Sequence, residues 1–165
     1  MRLFAVVLAV VCLAGCYRPT PPPDLAEGVA VRIIADMGRL PRAHAELQAE
    51  IPRALARQLG WRIDPAGATA HLDLTIEEDL IEVSAKDTRG VPQQWMVRLR
   101  GTCLLASRQA TLVGRFTGAG YYTSQLDEAE AIRTAAREAA KYIVAWIESQ
   151  ESQFTPPPPA LVRPD

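Results

Sequence analysis

From Trp95 to Leu105 the chain alternates without a slip. Trp95, Val97, Leu99, Gly101, Cys103 and Leu105 share one phase, and Arg98, Arg100 and Thr102 share the other. A period of two marks a strand with one buried face and one wetted face. The four residues Ala106-Ser107-Arg108-Gln109 then form a short hairpin connection, and Thr111 to Tyr122 returns antiparallel. On the return, Leu112, Gly114, Phe116, Gly118 and Gly120 fall in one phase. Glycines on the buried face of a strand suit the close approach of a helix packed across the sheet.

The flanking segments supply the rest of a layered domain. Val29-Ala30-Val31-Arg32-Ile33-Ile34 is β-branched and alternating, and predicts a strand with Val29, Val31 and Ile33 inward. Leu47, Ile51, Leu55 and Leu59 then recur every fourth residue as one stripe of a helix that stops at Gly60. Pro52 removes a backbone donor inside that helix and predicts a kink near residues 48–52. A further strand is expected over His71–Val83, with Leu72, Leu74 and Ile76 on one face and an edge bulge where the phase breaks at Asp79-Leu80-Ile81. The last element is a helix capped by Ser124 or Asp127 and running to about Ser149. Its stripe is Ile132, Ala136, Ala139, Ile143 and Ile147, with Ala135 and Trp146 beside it. The order β-α-β-β-β-α implies an α+β fold: a four-stranded mixed sheet with two helices packed on one face.

The chain begins MRLFAVVLAVVCLAGC, a cationic start, an apolar run from Leu3 to Leu13 and a Leu-Ala-Gly-Cys ending. The run is shorter than the ~20 residues of a membrane span and reads as a secretory signal. Its ending resembles the bacterial lipobox, in which cleavage before the cysteine leaves Cys16 as the acylated N-terminus. Residues 1–15 are therefore expected to be a lipoprotein signal peptide and 16–28 the lipidated Cys16 with a proline-rich spacer. The domain would be 29–150, with 151–165 a proline-rich disordered tail. By the enterobacterial sorting rule, Tyr17 after the cysteine favours the outer membrane over the inner. Without residues 1–15 the charge balance is 17 basic to 19 acidic, which is no footprint for nucleic acid. Cys12 leaves with the signal and Cys16 takes the lipid, so Cys103 is expected alone, on the core face of its strand and inert.

No catalytic constellation is legible. His44 and His71 have no metal-ligand spacing around them, and no nucleophile elbow, phosphate loop or dinucleotide fingerprint occurs, so no cofactor or metal is called for. The acidic run Glu77-Glu78-Asp79 with Glu82 reads as a solvated sheet edge, charged against strand pairing. Lys86 and Arg89, in the AKDTRGVP loop, and Arg98 and Arg100, off the core face, admit two readings. They form a cationic patch able to meet phosphates, or the strand arginines pair with acids of the neighbouring strand.

Taken together, the Cys16 lipobox, the strand VAVRII, the helix ending ALARQLGWRI, the strand ATAHLDLTI, the hairpin QQWMVRLRGTCLLASRQATLVGRFTGAGYY and the helix LDEAEAIRTAAREAAKYIVAWI form a recognisable series. The series resembles the lipopolysaccharide-assembly lipoproteins of the LptE family over roughly Val29 to Glu148. The chain departs from many relatives at Tyr17, where they carry glycine, at Pro52, and in its proline-rich tail. The resemblance implies a non-enzymatic outer-membrane lipoprotein, lipid-anchored on the periplasmic side. It would act as plug and assembly partner of the export β-barrel LptD and contact lipopolysaccharide (LPS) on its way to the surface. Lys86, Arg89, Arg98 and Arg100 would then be the candidate LPS contacts. A second expectation is a periplasmic lipoprotein of the TolB N-terminal-like group, with an envelope enzyme or a secretion channel of identical subunits as partner.

Overall fold

The computed structural model describes Leu25 and residues 28–36, 39–108 and 110–150. Residues 1–24 and 151–165, which hold the expected signal segment, Cys16, most of the spacer and the tail, lie outside the described residues. The elements are β1 (Val29–Asp36), α1 (Pro41–Ala54), β2 (Ala70–Lys86), β3 (Pro92–Ala106), β4 (Thr111–Tyr122) and α2 (Glu128–Ser149). The sheet runs β1-β2-β3-β4, with β1 parallel to β2 and the other pairs antiparallel. This is the expected four-stranded mixed sheet with two helices.

Helix α1 starts at Pro41, whose fixed φ and missing donor suit the first helical position. Pro52 lies inside it, and the helix is not broken there. It passes instead into a π-turn over Leu55–Leu59, ended by Gly60 at φ 70°. The left-handed Gly60 donates its N–H to Leu55 O, closing the helix end. Leu47, Ile51 and Leu55 are buried, as their spacing requires.

Helix α2 lies against β4 at close range. A Cβ on Gly118 would stand 2.0 Å from Ala135 O, and one on Gly120 would stand 1.9 Å from Ala131 O. On Gly114 it would meet the Trp146 ring at 2.4 Å. At Gly118 and Gly120, bare backbone on β4 and alanines on α2 thus let the two surfaces meet without side chains between them. Ser124 accepts from Leu126 N at 3.3 Å in a short 3-10 turn (Gln125–Asp127) that leads into the helix. Asp127, the residue before α2, makes no side-chain cap. Between helices and sheet lies one core built from Leu72, Leu74, Ile76, Val97, Leu99, Leu105, Phe116, Ile132, Ile143 and Ile147. Leu25, ahead of β1, is buried in the same core.

The β2 bulge falls between Ile76 and Glu78, where β1 also stops pairing with β2. The extra residue shifts the phase, so Asp79 turns inward. It is 4% exposed and accepts from Leu40 N at 2.8 Å and from Arg39 N. The expected solvated acidic edge is therefore corrected at Asp79. The side chain is a buried acceptor for the start of α1, whose own N-cap residue, Leu40, offers none.

Candidate functional site

With both helices on one face, the opposite face of the sheet is left open. Its side chains are those in the outward phase: Arg32, Asp73, Thr102, Arg100, Arg98, Val113, Arg115, Thr117 and Tyr121. Across the strands these form ion pairs. Arg32 grips Asp73 with two nitrogens at 2.7 and 2.9 Å. Arg98 meets Glu82, and Arg100 lies 3.4 Å from Glu78. Between the pairs stand apolar side chains, with Ile34 61%, Val113 67% and Tyr121 57% exposed.

The four candidate cations do not converge. Arg98 and Arg100 take the cross-strand pairing, one of the two arrangements open to them. Lys86 and Arg89 lie at the β2–β3 turn. Arg98 sits opposite Leu80, so Lys86 is six residues further along β2, roughly 20 Å. The turn itself is firmly built: Asp87 Oδ1 accepts from Arg89 N at 2.9 Å and Val91 N at 2.8 Å. Arg89 also approaches Asp87 at 3.5 Å, while Lys86 and Val91 face solvent.

Sequence reasoning did not single out Arg115, Thr117 or Tyr142. The first two share the outward phase of β4, a signal present in RFT once Phe116 is assigned inward. Tyr142 gives none, because a tyrosine off a helix's apolar stripe is ordinary.

Neither histidine gathers metal ligands, and no group of three or more His, Cys, Asp or Glu is placed to hold an ion among the described residues. His71 lies between Ala30 and Ala106 with a buried Nδ1 that has no partner. Cys103 is 1% exposed, and burial pushes its thiol up to about 12. A thiol held there is neutral and unreactive. Cys103→Ala is expected to cost about 1 kcal/mol in a urea melt with partner binding kept. A thiol reagent should label the native protein only after unfolding, and rapid labelling of the folded state would contradict the packing.

No protein-family model matches the chain, and no curated protein matches its sequence. Solved structures do match its fold. A lipoprotein of Caulobacter crescentus is 19% identical with a TM-score of 0.54, over 81% of this chain and 96% of that one. Rare lipoprotein B of Shewanella oneidensis is 13% identical with a TM-score of 0.52, over 77% of this chain and 98% of that one. The fold is thus one shared with bacterial lipoproteins.

Proposed function

We propose that this protein is a non-enzymatic lipoprotein held by Cys16 on the periplasmic side of the outer membrane. There it serves as plug and assembly partner of the LPS-export β-barrel LptD, and it contacts LPS during delivery. The observation that carries the reading is the open sheet face, where exposed Ile34, Val113 and Tyr121 alternate with paired charges. Apolar anchors set among polar groups, several of them paired across the strands, suit a large protein contact. The lipobox, the LptE-like element order and a fold shared with rare lipoprotein B support the same conclusion.

The tether adds a direction. Cys16 and the buried Leu25 are nine residues apart, at most about 32 Å of chain. Leu25 precedes β1, whose first residue, Val29, sits beside Ala70 at the start of β2. From Ala70 the strand runs to Lys86, roughly 50 Å away. A lipid on Cys16 therefore keeps Leu25 within that reach of the bilayer, and the turn bearing Lys86 and Arg89 lies at the far end of β2 from Ala70.

Affinity purification from envelope extracts tests the reading. A β-barrel should be recovered in detergent and persist in moderate salt, since a plug buries a large contact. Recovery of an envelope enzyme or a ring of identical subunits, with no barrel, would replace this reading with the TolB-like one. The double variant Lys86→Glu/Arg89→Glu should weaken LPS binding by about tenfold while sparing the barrel complex. Unchanged LPS binding would remove the turn from the LPS contact. Reversal at Arg98 and Arg100 is a less clean probe, because it also sets like charges against Glu82 and Glu78.

A further inference from the structure

Beside β4 lies a depression of about 320 Å³ whose wall includes Glu77, Arg100, Arg115, Thr117 and Tyr142. The register shows how these side chains come together. Arg100 stands opposite Thr117, and Thr102 stands opposite Arg115. Arg115 is therefore the diagonal neighbour of Arg100 on one face, about 7–8 Å away, with the Thr117 hydroxyl beside both. Glu77 is the extra residue of the β2 bulge, which brings a second acid next to Glu78. Tyr142 comes from α2, is 55% exposed and borders the hollow on the β4 side.

The charges identify the ligand class. Arg115 has no acidic partner among the described residues, and Arg100 makes one loose contact with Glu78 at 3.4 Å. Guanidinium forks with donors to spare, next to a hydroxyl, suit a phosphate. Yet Glu77 and Glu78 balance the two arginines, so a simple anion would be attracted and repelled at once. A ligand with both signs meets no such conflict. We infer that this hollow binds a phosphoethanolamine-type zwitterion. Its phosphate lies among Arg100, Arg115 and Thr117, and its ammonium lies at Glu77. The volume, at the low end of small-ligand sites, fits a headgroup. The site stands on this geometry alone and does not depend on the barrel partnership.

Calorimetric titration of the full-length protein, purified in a phospholipid-free detergent, tests the site. Glycerophosphoethanolamine and dihexanoyl phosphatidylethanolamine serve as the zwitterions, and glycerol 3-phosphate as an anion without the ammonium. Saturable binding of the zwitterions is expected. Arg115→Gln should weaken it at least about tenfold, the loss of one charged phosphate contact. Glu77→Gln should weaken the zwitterions and strengthen glycerol 3-phosphate. That opposite sign is a result no unfolding or general charge effect produces. Both side chains are exposed, so matched melting curves should show the variants folded. Tighter binding of the acyl-bearing ligand would identify a membrane lipid as the source, and equal affinities a free zwitterion. Absence of saturable zwitterion binding, or Glu77→Gln moving both ligands the same way, would overturn the inference.

Discussion

Gly118→Val should strip α2 from the sheet and cost at least about 3 kcal/mol, the upper part of the range for overpacked cores. The reason is geometric. The new Cβ alone would stand 2.0 Å from Ala135 O and 2.8 Å from Ala139 N, both backbone atoms of a helix that no rotamer change can relieve. Retreat of α2 would uncover Ile132, Ala136, Ile143 and Ile147, which bury the middle of the core. A domain of this size should lose on the order of 10 °C in melting temperature. Ala119→Val is the matched control, one residue along on the opposite face, and should stay within about 0.5 kcal/mol. If the two variants melted together in urea, α2 would not be packed on β4 as described.

That contact was also the most legible part of the fold. Glycines at three positions of one phase of a strand, 114, 118 and 120, facing a helix rich in alanine, leave few arrangements other than close helix–sheet contact. The same alternation placed Cys103 in the core and Arg98 and Arg100 outside it, because period two assigns a face to every residue once one is known. Legibility ended where a single residue was inserted. The bulge at Glu77 reverses the phase of all that follows in β2, and nothing local in EEDL says which acid turns in. The partner that draws Asp79 inward lies 40 residues earlier, at the start of a helix whose own first residues offer no cap. The hollow beside β4 escaped notice for a related reason. It draws on a bulge, two neighbouring strands and a helix, and only their packing sets Glu77, Arg115 and Tyr142 around one space.

The Asp79 contact carries the second large expected effect. Asp79→Ala should destabilise the domain by about 2–4 kcal/mol, from two backbone N–H groups left without acceptors and a small void. Both donors, Arg39 N and Leu40 N, lie at the helix start, where unpaired amides and the helix dipole favour a carboxylate. Asp79→Asn should fall between wild type and Ala, because an amide offers one acceptor oxygen and no charge. Hydrogen exchange separates this role from general packing. In Asp79→Ala the amides of residues 39 and 40 and the first turn of α1 should exchange faster, at denaturant levels that leave β3 and β4 protected. The tie spans the region where β1 has stopped pairing with β2, next to Leu40 and the buried Ala43. A loss below about 0.5 kcal/mol would mean that water replaces the carboxylate, and that the buried face of α1, Ala43, Leu47 and Ile51, holds it without the tie.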